Sequence, residues 1–279
     1  MTRQFMGASA TYRFCVLPYA NALPLVHYIE EACPLAELTY RTPRSAVSAL
    51  LQGMAEAALI PVVDCFRHPD LQMIPGLGIC ADGGVTSVLL QCPRPLAEVT
   101  TIELDPDSKT SNILTQVLMQ HHFKMSDRVK YASNGGHDAA RVCIGDRALC
   151  AEPSCETYDL ADQWKQMTGL PFVFAVWAFG RSCTDRKRIA QILHRAKEIG
   201  CRSRPALAKI CAERLGLPQE RCLHYLTNCL HYDLGVREQE GMNLFRELAV
   251  NLLERPVVGR PIETIPGQRR RGLPILEQG

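Results

Sequence analysis

Ser108, Thr110 and Ser111 fall in one turn of the segment LDPDSKTSNIL, between a strand-like run ending at Leu104 and an apolar-periodic helix. Hydroxyls at that spacing share the first helical turn with free backbone N–H groups and the positive end of the helix dipole. Such a seat suits a carboxylate or phosphate and needs no formal positive charge. Ordinary capping by Asp107 or Ser108 accounts for one of these residues and leaves the others over. Asn21, in YANALPLV, stands at a second strand-to-helix junction, where its amide either caps the helix or offers a ligand a donor and an acceptor. In GGVTSVLL the glycines Gly83 and Gly84 allow a tight turn, and Ser87 points inward among apolar neighbours. A bond from that serine to a backbone carbonyl is the competing role. In IGDRAL, Gly145 and Asp146 end a strand, and Asp146 can cap the next turn, pair with Arg147 or orient nearby hydroxyls. A fifth segment, Asp159 to Trp177, joins a polar helix to a buried apolar strand through Thr168-Gly169-Leu170-Pro171, presenting backbone and ring edges to a small ligand.

Each of these segments needs a strand behind it and a helix ahead of it, and the pattern supplies them. Strands are predicted over 13–17, 57–63, 85–91, 100–104, 141–144 and 172–177. Helices are predicted over 24–33, from Thr42-Pro43 to near Gly53, over 109–122, and in a run over 185–202, 204–215, 218–228 and 238–253. Alternating strands and helices followed by helices indicate an α/β architecture with a mainly parallel sheet. In such sheets small molecules bind where the carboxyl ends of strands lead into helices, so separated segments are expected to share one cleft.

The 279 residues, 47% hydrophobic and 22% charged, suffice for one large domain or two lobes. A net charge of +2, from 31 basic and 29 acidic residues, gives no field for holding nucleic acid. No apolar run reaches the ~20 residues that cross a bilayer, so no membrane partner is expected. The 13 cysteines are odd in number, irregularly spaced and without C-x-x-C, which fits a reducing cytoplasm better than a disulfide framework. The early apolar run is interrupted by Pro18, Asn21 and Pro24, unlike an export signal. Residues 1–11 and 259–279, with Arg269-Arg270-Arg271, read as peripheral tails. There is no Walker loop, H-E-x-x-H, G-x-S-x-G or G-x-G-x-x-G. Cys222, His224, Cys229 and His231 do not converge on a helix, and no metal is expected.

Taken in order, YANALPLV, GGVTSVLL, LDPDSKTSNIL, IGDRAL and DLADQWKQMTGLPFVFAVW resemble the chorismate dehydratase family of the futalosine route to menaquinone, over roughly residues 12–255. The resemblance implies a two-lobed type II periplasmic-binding-protein-like fold with a ligand cleft between lobes. Lobe one would comprise 12–95 and 190–258, and lobe two 96–189. It further implies elimination of water from chorismate to give 3-[(1-carboxyvinyl)oxy]benzoate, with no cofactor, and nothing in the sequence sets an oligomeric state. Asn21 and Ser87 match the family's residues at the reacting centre, and Ser108, Thr110, Ser111, Gly145 and Asp146 fall on the substrate side. Pro171 and Phe172 would form an apolar wall. Where a bulkier and a basic residue are expected, this chain has Ala20 and Leu23, so Arg13, Arg41 or Arg44 would have to supply the charge. The alternatives are a solute-binding protein of the same fold and the sister enzyme that forms dihydroxynaphthoate.

Overall fold

Two five-stranded sheets organise the residues described by the computed structural model, 11–151 and 156–254. In chain order the strands are β1 (Tyr12–Val16), β2 (Ala36–Tyr40), β3 (Ala57–Pro61), β4 (Met73–Ala81), β5 (Val88–Cys92), β6 (Thr101–Glu103), β7 (Lys130–Ala132), β8 (Ala140–Ile144), β9 (Glu156–Asp159) and β10 (Phe172–Phe179). The first sheet has the order β2-β1-β3-β10-β4 and the second β7-β6-β8-β5-β9. β1 runs parallel to β2 and β3, and β6 runs parallel to β7 and β8. β10 is antiparallel to β3 and β4, and β5 is antiparallel to β8 and β9. The sheets are therefore mixed rather than mainly parallel. The reason is an exchange: each sheet receives one strand from a chain segment that has just left the other, and that strand arrives running the opposite way.

This exchange moves the expected boundaries. A division at 95/96 and 189/190 leaves β5 with the first sheet and β10 with the second, whereas the hydrogen-bonded ladders put each in the other. The chain crosses between sheets at 82–87 and again at 160–171. Both crossings meet at one carboxylate. Asp159 Oδ2 accepts from the N–H groups of Val85 (2.7 Å) and Thr86 (2.6 Å), and Oδ1 accepts from Ala161 (3.0 Å) and Asp162 (3.2 Å). The second pair caps the helix Leu160–Thr168, which Gly169 ends in the left-handed conformation. Burial nonetheless pushes the Asp159 carboxyl above its ordinary value.

The core gathers around β10, all eight residues of which are buried. Phe172 packs edge-on against Trp164 at 5.4 Å and Phe245 at 4.9 Å, each such pair adding about 1 kcal/mol to the area it buries. The predicted helix 24–33 is broken into short turns, Leu23–Val26 and Ile29–Ala32. The long helix Arg186–Arg202 lies directly on the first of them. A side chain at Gly200 would meet the Pro24 carbonyl at 2.0 Å, so only glycine permits that approach. The last helices run Val236–Leu248 and Val250–Leu253, close to expectation, and Gln219–His224 continues into a wider π turn, Tyr225–Cys229. The predicted tail 259–279 with its triple arginine, and residues 1–10 of the other tail, lie outside the described residues.

Candidate active site

A cleft lies between the two sheets. From the first sheet come Leu17, Tyr19 and Asn21 beyond β1, Pro43, Pro61 at the end of β3, Ile79, Phe174 and Ala175. From the second come Ser87 at the start of β5, Asp107 to Ser111 beyond β6 except Lys109, and Ile144 and Gly145 at the end of β8. The segments after β1, β3, β6 and β8 all leave carboxyl ends of strands, as α/β sheets require of a binding site.

Asn21 sits in the tight turn Ala20–Ala22, and its Oδ1 is buried with no hydrogen-bond partner in the protein. Thr110 Oγ1, from the other sheet, is buried and unpartnered too. Buried polar atoms are nearly always paired, so two such groups lining one cleft mark it as a place for a polar ligand. Ser87 is 1% exposed and its Oγ accepts from the Tyr225 hydroxyl at 2.8 Å, which leaves its own proton to donate. Burial raises the Tyr225 phenol, so it stays a donor at neutral pH. Ser108 Oγ donates to Ser111 Oγ at 2.8 Å and accepts from the Ser111 N–H at 3.3 Å, so Ser111 retains a free hydroxyl proton at the start of the helix Lys109–His121. Gly145 has φ +63°, and a side chain there would meet the Tyr19 ring at 3.3 Å, so glycine seats one wall against the other. Burial, with the carboxylates of Asp107, Asp105 and Asp146 nearby, keeps the Tyr19 phenol protonated.

Six of the predicted residues thus meet in one cleft: Asn21, Ser87, Ser108, Thr110, Ser111 and Gly145. Three do not line it. Asp146 turns beneath the cleft, where Oδ1 accepts from the Ala20 N–H at 2.8 Å and Oδ2 from Arg214 at 2.7 Å. Burial raises its pKa against the opposing pull of Arg214. Pro171 accepts from the Trp164 indole N–H at 3.2 Å, and Phe172 is locked in the aromatic core. The wall they were expected to form is supplied by Phe174. In the β10–β4 ladder Val173 faces Cys80 and Ala175 faces Ile79, so Phe174 is the extra residue of a bulge, which re-aims its ring toward the cleft.

Tyr19 and Phe174 lie inside the quoted motifs without a role read for them, and Asp107, read as a possible helix cap, lines the cleft while Ser108 does the capping. None of the arginines proposed to replace the missing charge lines the cleft. Arg13 pairs with Glu56 at 2.6 Å, and Leu23 is buried. Asp107 is the one charged side chain among the described residues lining it. A bound anion would therefore be held by hydroxyls, an amide and the helix start.

Known proteins agree with this architecture. A family profile described as Menaquinone biosynthesis matches residues 12–251. The chain is 28% identical over 253 residues to the chorismate dehydratase of Thermus thermophilus, covering 82% of this chain and 92% of that one. It is also 28% identical over 243 residues to the chorismate dehydratase of Campylobacter jejuni, covering 83% and 95%. Its fold is similar to that of the periplasmic aliphatic sulphonate binding protein of Escherichia coli, with a TM-score of 0.58 at 13% identity over 88% of this chain and 94% of that chain. With a periplasmic-binding-protein-like fold and a profile match spanning both sheets, the chain belongs to the menaquinone biosynthesis family.

Proposed function

We propose that this protein is a chorismate dehydratase, removing water from chorismate to give 3-[(1-carboxyvinyl)oxy]benzoate. The observation that carries the reading is the pair of unpartnered buried atoms, Asn21 Oδ1 and Thr110 Oγ1, in a cleft whose gripping groups are neutral. The names of the relatives from Thermus thermophilus and Campylobacter jejuni support it.

The reaction removes the ring proton beside the enolpyruvyl ether, expels the neighbouring hydroxyl as water, and leaves an aromatic ring. No redox equivalent is consumed. As the C–H bond breaks, charge moves into the ring carboxylate. Donors fixed around that group, from Ser87, Ser108, Thr110, Ser111 and the helix start, stabilise the transition state more than the ground state. Asn21 orients the ring and assists the departing hydroxyl, and Phe174 with Ile79 covers an apolar face. The substrate's enolpyruvyl carboxylate accepts the proton, held in a near-attack pose by the closed cleft. In this reading the two sheets are the cores of two lobes, and the step opens the futalosine route in the cytoplasm. The described cysteines other than Cys92 are free thiols, which favours a reducing compartment.

Incubating the purified protein with chorismate, without added metal or nucleotide, tests the proposal. An aromatic enol ether should accumulate in step with loss of chorismate. Tight chorismate binding without product would instead favour a solute-capturing role.

A further inference from the structure

Two carboxylates that do not line the cleft connect its halves, and each holds a turn that belongs to the other sheet. Asp146 begins the helix Gly145–Cys150 after β8 of the second sheet. It accepts from Ala20 N–H, one residue before Asn21, and from Arg214, whose guanidinium also donates to the Pro18 carbonyl at 3.0 Å. Arg214 lies on the helix Arg204–Leu215, which packs against the helices Leu23–Val26 and Arg186–Arg202 on the first-sheet side. The Asp146 and Arg214 side chains are each only 10% exposed. On the opposite flank Asp64, in the helix Val62–Arg67 after β3 of the first sheet, accepts from Lys109 Nζ at 2.5 Å. Lys109 lies between Ser108 and Thr110 in the hydroxyl-bearing turn of the second sheet. The Asp64 side chain is 1% exposed.

We infer that Asp146 with Arg214, and Asp64 with Lys109, are reciprocal positioning pairs: each sheet contributes a buried carboxylate that fastens the ligand-bearing turn of the other, so the site is complete only when the halves are closed. The inference rests on the proposed roles of Asn21 and Thr110. The geometry favours a closing function over a merely stabilising one because each pair spans the cleft and ends beside a residue with an unpartnered ligand-facing atom. Ion pairs placed for stability alone have no reason to occur once on each flank, in opposite directions. Asn21 and Thr110 touch the substrate, and the four ion-pair residues act through them.

Amide hydrogen exchange and a double-mutant cycle test this in the full chain. Arg214→Gln should speed exchange at Ala20, Ala22 and Gly145 at least ~10-fold while leaving the helix 186–202 protected, and Lys109→Gln should do the same at Ser111 and Asn112. Displacing Asn21 in this way should lower chorismate turnover by about 100-fold in kcat. Adding Arg214→Gln to Asn21→Ala should then cost under about 3-fold more, since the residue acts through one already removed. Multiplicative losses, or unchanged exchange at Ala20, would overturn the inference. Should Arg214→Gln fail to fold, Arg214→Lys keeps the charge but cannot serve both Pro18 and Asp146, and an intermediate loss of about 3- to 10-fold is expected. Wild-type turnover and exchange in that variant would count against the inference. Full turnover by Asn21→Ala alone would sink the site reading instead, and the exchange data would still decide whether the pairs hold the turns.

Discussion

The two walls of the cleft are chemically unlike. The first sheet offers mainly carbon, from Leu17, Pro43, Pro61, Ile79 and Phe174, with Asn21 as its one amide, whereas the second offers the hydroxyls of Ser87, Ser108, Thr110 and Ser111. A planar ring carrying a carboxylate fits that division: its face rests on the apolar wall and its charge meets the donors. The difference also separates two kinds of residue. Thr110 Oγ1 on the polar wall and Asn21 Oδ1 facing it have no partner in the protein, while the residues behind the apolar wall are packed for stability.

The largest effects should fall where the walls meet the reacting atoms. Asn21→Ala and Ser87→Ala are each expected to lower kcat by about 10²–10³-fold with the fold retained, as loss of a fixed transition-state donor does. Steady-state turnover and circular dichroism check this together. Next comes the contrast within β10. Phe172→Ala should destabilise the protein by about 3–5 kcal/mol in urea unfolding, because it empties an aromatic core. Phe174→Ala should instead act mainly on KM, since one side of that ring faces the cleft. If Phe172 governed KM and Phe174 did not, the bulge would be misassigned.

A smaller effect would sharpen the comparison most. Thr110→Val removes a buried hydroxyl that has no partner in the protein, so ligand-free stability should hold or rise by about 1 kcal/mol, while KM for chorismate rises about 10-fold. A residue present only for folding would show the opposite signs. Smallest is a pH effect at the crossings between the sheets. The folded Asp159 carboxyl lies above its ordinary value of 3.8, so as pH falls toward 3.8 the folded state takes up the proton before the unfolded chain does. Its unfavourable contribution, complete above the folded pKa, is relieved in that window and constant below it. The Tm difference between wild type and Asp159→Asn should therefore shift in favour of the wild type on acidification toward 3.8. A shift the other way would mean that the four N–H donors outweigh burial.

Much of the site was legible because it is built from local signals. Thr42 and Ser108 announce helix starts by capping, Gly145 marks a left-handed turn, and the hydroxyl cluster at 108–111 stands at a helix dipole. These features depend on a few neighbouring residues. What escaped depends on distant ones. The exchange of β5 and β10 follows from strand pairing between segments far apart in the chain, which the 2-residue alternation does not encode. The short edge strands β2, β7 and β9 carry too little pattern to be read. The bulge that turns Phe174 rather than Phe172 to the cleft is a register shift against β4, itself unread as a strand. Arg214 and Tyr225, which reach Asp146 and Ser87, lie in a helical run whose amphipathic pattern explains their packing but not their polar ends.

The account depends on neutral donors from both sheets closing on one diacid, and a crystal structure with bound 3-[(1-carboxyvinyl)oxy]benzoate tests that most directly. The ring carboxylate should lie within hydrogen-bond distance of Ser87, Thr110 and Ser111, with Asn21 Oδ1 within reach of the ring carbon that lost its hydroxyl. A product bound elsewhere, or one that leaves Thr110 Oγ1 without a partner, would contradict it.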